Sequence, residues 1–250
     1  DEMLGWYRKY TRLHLRLFPY LWSYAERLRE DGRPIQRALG LAHPELGEHP
    51  NDTYLLGDAL LVAPVVRRGQ RQRTLTLPAG EWIDWWSGER HDGPASITVE
   101  APLDTLPLFL SAEQLVPMLR PTIDTLAPTT EPKRVDSYAS DAGLLYVRGV
   151  AEGRGHFSLF DGGALNHTTA GNQSQLLFVA GSELNQGVIF ELLGATKPLR
   201  IELAGKALTA STSAEALETE PAGYFFDPEP PSSLWLKLSE ANAPATIIWR

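Results

Sequence analysis

The feature that most constrains this chain is a change of pattern at residues 52–66, DTYLLGDALLVAPVV. Upstream, apolar residues recur at helical spacing. Downstream, short apolar runs alternate with turns rich in Gly and Pro. Such a switch predicts helix followed by β structure, with residues 52–66 as the hinge. Within the hinge, Tyr54, Leu55 and Leu56 lead into Gly57 and Asp58. An apolar run then extends over residues 59–66, broken only by Pro64. That run is too short to span a membrane and predicts a buried strand.

Upstream of the hinge, residues 3–31 read as one helix. Leu13, Leu17, Leu21, Tyr24 and Leu28 form an apolar stripe, and Arg8, Lys9, Arg12 and Arg16 cluster on other faces. Asp1 and Glu2 stand where the helix dipole favours negative charge. Pro19 predicts a kink, because it removes a backbone donor and crowds the preceding turn, and Gly32 predicts the C-cap. The same helix carries Trp6, Tyr7, Tyr10, Phe18, Tyr20, Trp22 and Tyr24, more apolar surface than a lone helix can hide. Residues 33–44 read as a short strand closed by His43-Pro44, completing one helix-to-strand step of an α/β fold. Residues 45–51 are a polar loop.

Beyond the hinge the signals are β. Strands are predicted at 59–66, 74–77, 81–86, 97–100, 106–110 and 114–119, with Pro78-Ala79-Gly80 and Ser87-Gly88 as turns. This spacing predicts a small sandwich. Residues 120–134 contain Pro121, Pro128 and Pro132 with several threonines, the composition of a stiff linker. Eight further short strands are predicted, at 144–149, 156–160, 175–180, 187–193, 199–203, 223–226, 234–238 and 245–249. They fit a second sandwich of the jelly-roll kind.

Composition narrows the functional classes. The net charge is −8, which opposes binding to nucleic acid or to anionic membranes. Cysteine is absent, so disulfides, thiolate metal sites and a cysteine nucleophile are excluded. Glycosylation sequons occur at Asn51, Asn166 and Asn172 and read as chance matches in polar loops. No feature of the sequence assigns a compartment. The chain opens Asp1-Glu2-Met3-Leu4 and enters a helix pattern at once, which reads as a piece of a longer protein.

Four blocks carry a family resemblance: LRLFPYLWSYAERLREDGRPIQRAL, YLLGDALLVAPVV, LTLPAGEWIDWWSGE and PLDTLPLFLSAEQLVPM. In order and spacing they resemble glycoside hydrolase family 31, the α-glucosidase and α-xylosidase family. A weaker likeness extends to HFSLFDGGALNHTT. The resemblance implies a mainly β fold: two C-terminal β-sandwich domains preceded by the last helix and eighth strand of a truncated (β/α)8 barrel. The implied domains are 1–51, the end of the catalytic barrel; 52–120, a proximal sandwich; 121–134, a linker; and 135–250, a distal sandwich. The missing barrel, or another chain, would cover the over-apolar helix at 3–31.

The resemblance also implies a chemistry, retaining hydrolysis of α-glycosides by two carboxyl groups roughly 5 Å apart. The family's catalytic aspartates and glycone-binding residues lie on earlier barrel strands, so they are expected upstream of Asp1 and no catalytic residue is assigned here. The intact enzyme's partner would be an α-linked oligosaccharide or glycoside, with no cofactor and no metal. Active sites of such barrels sit at the C-terminal ends of the strands. That makes His43 and Glu45 the candidate substrate-binding residues. Gly40, Ala42 and His43 depart from the family's usual pattern at this point, and the plainer reading of His43 is a capping residue before Pro44.

Other chemistry-bearing residues have plainer readings. His43, Glu45, Glu48 and His49 match no standard metal spacing and read as a solvated loop. Trp82, Trp85 and Trp86 read as core, with a sugar-stacking platform as the alternative. That alternative motivates a rival function, a non-catalytic carbohydrate-binding or scaffolding module. Arg37 reads as half of a buried ion pair in the barrel wall and Asp104 as a turn residue. Arg67, Arg68, Arg71 and Arg73 read as a solvated hairpin tip, with a polyanion site as the weaker reading. Asp161 lacks the neighbours a calcium site requires.

Overall fold

A computed structural model describes residues 2–47, 49–239 and 243–249. Asp1 and Glu48, both named above, lie outside the described residues.

The N-terminal helical pattern forms two helices, α1 (Glu2–Arg16) and α2 (Phe18–Asp31), in place of one kinked helix. The break falls at Leu17, whose ψ of 4° leaves the helical range, and Pro19 occupies the first turn of α2. There its missing N–H removes little. Gly32 caps α2 in the left-handed conformation and donates to Leu28 O at 3.1 Å, as predicted. The strand expected over 33–44 is confined to β1 (Gln36–Ala38). The chain then turns through a four-residue helix, α3 (Leu39–Ala42), which buries Leu39 completely. Pro44 ends that turn, because the residue before a proline is driven out of the α region.

Six strands make the first sheet: β1, β2 (Tyr54–Leu56), β3 (Leu60–Val62), β4 (Gln72–Asp84), β5 (Arg90–Glu100) and β6 (Leu108–Ser111). Their order is β1-β2-β3-β6-β4-β5, and every pairing is antiparallel. The predicted strands at 74–77 and 81–86 are one strand, β4, because residues 78–80 form a bulge and not a turn. A bulge bends its strand. The arm before it pairs only with β5, and its Leu75 and Leu77 pack on Leu55, Leu61 and Phe109 from the body of the sheet. Buried Trp82 joins this cluster. The apolar run 59–66 yields only three residues of strand, since Pro64 cannot donate to the ladder.

The rest of the chain folds as two facing sheets. Their strands are β7 (Val116–Met118), β8 (Leu145–Val150), β9 (Gly155–Ser158), β10 (Ala164–Ala170), β11 (Gln173–Val179), β12 (Val188–Leu193), β13 (Arg200–Leu203), β14 (Lys206–Ala207), β15 (Gly223–Asp227), β16 (Ser233–Leu238) and β17 (Ala245–Ile248). One sheet runs β14-β13-β17-β11-β10-β9 and the other β15-β16-β12-β8-β7. The β8–β12 pair is parallel, a departure from an all-antiparallel jelly roll. Sequence reasoning missed β10, whose polar residues alternate with buried Leu165 and His167. It also grouped β7 with the first sheet, whereas β7 pairs with β8.

One core runs through both β units and α2. Tyr20 and Tyr24 pack on Phe157 of β9, at centroid distances of 5.5 and 5.8 Å. Phe18 meets Tyr138 and Phe160. The cover for α2 therefore comes from this chain's own β units. By contrast α1 buries no residue, and Met3, Leu4 and Tyr7 are exposed on it. No helix among the described residues is long and apolar enough to cross a membrane.

Candidate functional site

The hinge is gripped by two tyrosines one helical turn apart on α2. The Tyr20 hydroxyl donates to Leu56 O at 2.7 Å and accepts from Ala59 N–H at 3.0 Å. The Tyr24 hydroxyl donates to Asp58 Oδ2 and accepts from Asp58 N–H, both at 2.9 Å. Between these grips Gly57 adopts φ 63° and donates to Ile35 O at 2.7 Å. A Cβ at Gly57 would fall on the Tyr20 hydroxyl, so position 57 admits only glycine, for both its φ and its closeness to the ring. Burial, and then the Asp58 charge, push the Tyr24 phenol up to about 12. Both tyrosines are thus neutral hydrogen-bonding groups at physiological pH.

Arg37 completes the arrangement from β1. Its guanidinium pairs with Asp58 Oδ1, donates through Nε to Pro34 O at 2.9 Å, and lies 5.7 Å from the Tyr24 ring centroid. The Arg37 side chain is 10% exposed and that of Asp58 43%. The ion pair read from the sequence is present, with the hinge aspartate as its acid. Asp58 is held by a guanidinium and a phenol at once, which fixes the backbone of the hinge.

Beside this pair opens a cleft of about 620 Å³, whose wall includes Arg37, Asp58, His43, Trp82, Ser111 and Glu113. Of the two residues predicted to touch substrate, His43 lines the cleft and Glu45 does not. They meet each other instead, with His43 Nδ1 and Glu45 Oε1 2.9 Å apart. The Glu45 carboxyl is held below the usual range, first by its own backbone N–H and then by His43. Among the described residues no group of three or more His, Cys, Asp or Glu side chains is placed to hold a metal ion.

Trp82 lies apart from the other two tryptophans, while Trp85 and Trp86 line one cleft. Trp82 is buried in the smaller core and donates to Pro78 O at 3.0 Å. Trp85 is buried in the larger core beneath the Arg148 guanidinium, 4.2 Å from its ring. Trp86 donates to Leu106 O at 2.7 Å and meets Tyr10 edge-on. Asp161 is saturated by backbone: Gly163 N–H donates to Oδ1, and Glu183 and Leu184 N–H to Oδ2. It clamps a loop. Asp104 offers its carbonyl to Lys9 Nζ and the Tyr10 hydroxyl, tying α1 to the first sheet. In the basic run, Arg73 turns inward to Asp52 at 2.6 Å.

The tyrosine grip was missed in the sequence. Its signal was available: tyrosines four apart on a helix face, followed by a Gly-Asp pair at the start of the β region. What could not be read was that the two would meet.

Residues 32–116, which hold the hinge, the cleft and the whole first sheet, match the profile described as glycosyl hydrolase family 31 C-terminal domain. An isomaltosyltransferase of Sporosarcina globispora is 27% identical over 91% of this chain and 21% of its own length. A 1,3-alpha-isomaltosidase of Kribbella flavida is 38% identical over 46% of this chain and 16% of its own. The chain thus spans about a fifth or less of the curated relatives it matches. The cycloalternan-forming enzyme of Listeria monocytogenes, solved with a pentasaccharide substrate, superposes over 99% of this chain and 24% of its own, with a TM-score of 0.82 at 22% identity. A GH31 dextranase of Flavobacterium johnsoniae superposes over 99% of this chain and 33% of its own, with a TM-score of 0.80 at 22% identity. Residues 32–116 therefore match the C-terminal domain of glycoside hydrolase family 31, and the relatives and solved structures that the chain resembles include enzymes of that family.

Proposed function

We propose that this chain is the C-terminal portion of a retaining α-glycoside hydrolase, that it supports the catalytic barrel, and that the catalytic carboxylates lie outside it. The observation carrying this reading is the match of residues 32–116 to the family's C-terminal domain, centred on a hinge whose groups are committed to holding the chain. In this reading residues 1–51 end the barrel, 52–120 and 135–250 are the two β domains, and 121–134 links them, with β7 lending an edge to the distal sheet. The exposed face of α1 is where the barrel packs. His43 and Glu45 stand at the margin of the barrel mouth and shape access for an α-linked oligosaccharide.

The test compares hydrolysis of an aryl α-glucoside by the 250-residue chain and by the intact enzyme containing it. Turnover by the intact enzyme alone is expected, and turnover by this chain at the intact rate overturns the proposal. The rival reading, a carbohydrate-binding module, required an aromatic platform. With Trp82 and Trp85 buried, the three indoles do not offer one. Titration with malto-oligosaccharides while following tryptophan fluorescence is expected to give no response.

A further inference from the structure

α1 carries Arg8, Arg12 and Arg16 at four-residue spacing, with Lys9 beside them. Like charges at this spacing face one another along a helix and repel. In a protein of net charge −8 they are a local reversal of sign. All four side chains line a single cleft of about 550 Å³ between α1, the chain after β4 and the distal sheets, where Arg148 of β8 adds a fifth cation. No carboxylate lines that cleft.

Two of the five cations are neutralised by acids: Arg148 by Glu191 at 2.7 Å, and Arg12 by Asp124 at 3.0 Å. Three are not. Lys9 gives one N–H to the Asp104 carbonyl and lies 4.0 Å from the centroid of the Trp86 ring, leaving further donors. Arg8 makes no ion pair among the described residues. Arg16 donates only through Nε, to Leu119 O at 3.1 Å, and both of its Nη groups find no acceptor among the described residues. Burial, and next the charge of Arg148, hold the Arg16 guanidinium below its usual range. A partly buried arginine fork with idle donors, beside a second fork and an ammonium, matches a multiply charged oxyanion. Phosphate carries about −1.5 to −2 charge at pH 7 and three acceptor oxygens when esterified.

We propose that the cleft between α1 and the distal sheets is a binding site for a phosphate group, held by Arg8, Lys9 and Arg16. The site is separate from the Arg37–Asp58 cleft. Trp85 and Trp86 form its floor and fix two of the cations by stacking, Arg148 on Trp85 and Lys9 on Trp86.

Calorimetric titration of the 250-residue chain with inorganic phosphate, glucose 6-phosphate and glucose, at one ionic strength set with chloride, tests the assignment. Saturable binding of phosphate is expected, with Arg8→Gln weakening it about tenfold and Arg16→Gln at least as much. Tighter binding of glucose 6-phosphate than of inorganic phosphate assigns the site to a sugar phosphate; equal binding assigns it to free phosphate. Absence of saturable heat with both phosphates overturns the proposal, as does unchanged affinity in Arg8→Gln. Arg8 is exposed, so that variant keeps the test decisive even if Arg16→Gln fails to fold.

Discussion

At the scale of single residues, the hinge depends on groups with no tolerance for substitution. Gly57→Ala places a methyl group on the Tyr20 hydroxyl at a φ that disfavours alanine. A loss of about 2–4 kcal/mol is expected, read from urea denaturation. An unchanged midpoint would show that the grip relaxes freely. A second sensitive residue is His167, buried on β10 with neither ring nitrogen hydrogen-bonded among the described residues. Burial pushes its imidazole down to about 4. The unfolded chain takes up that proton near the ordinary value of about 6.5, so between these values the unfolded state binds more protons. The stability that neutral His167 contributes is complete above about pH 6.5 and is lost as the pH falls toward 4, a change on the order of 3 kcal/mol. His167→Leu is expected to flatten this part of the stability–pH curve. An identical curve in the variant would remove His167 as its cause.

At the scale of elements, the units are fastened by a few polar latches laid over a continuous core. Arg148 of β8 stacks on Trp85 at the end of the first sheet and makes a two-pronged pair with Glu191 of β12, at 2.7 and 2.8 Å. Glu191 is 7% exposed. Removing the guanidinium leaves a carboxylate buried without its partner, so Arg148→Met is expected to cost about 3–5 kcal/mol. The double variant Arg148→Met/Glu191→Leu should recover most of that loss, because no isolated charge remains. Thermal melts of the three proteins check this, and a double variant no more stable than the single one would contradict it. The segment 120–134 is fastened in the same way. Arg120 grips the Asp136 carboxylate and the carbonyls of Asp141 and Ala142, pinning a segment whose prolines read as a stiff linker.

At the scale of the whole molecule, the asymmetry of cover is the main feature. α2 is enclosed between two β units, while α1 presents Met3, Leu4 and Tyr7 to solvent without a buried residue of its own. Trp22 and Leu28 extend the exposed apolar surface onto α2. Surface of this kind associates in water. Light scattering after size exclusion is expected to show a mass that rises with concentration, and Met3→Ser/Tyr7→Ser to suppress the rise. A concentration-independent monomer would mean that this face is satisfied by water alone. Covering it is the role assigned above to a barrel.

Sequence alone determined the helix-to-β switch, the Gly32 cap, most strand positions and the family resemblance, because each is written in local spacing, turn residues or contiguous motifs. It also marked Arg37 as half of an ion pair. Partners were another matter. That β4 passes through Pro78-Ala79-Gly80 as a bulge depends on β5 pairing on both sides of it. That the strand after β1 becomes a helical turn depends on where Leu39 finds its core. That Tyr20 and Tyr24 hold Gly57 and Asp58 depends on bringing together residues more than 30 positions apart. Only the tertiary structure decided these, because a hydrogen bond or a packed ring is specified by both of its members, and the sequence displays them one at a time.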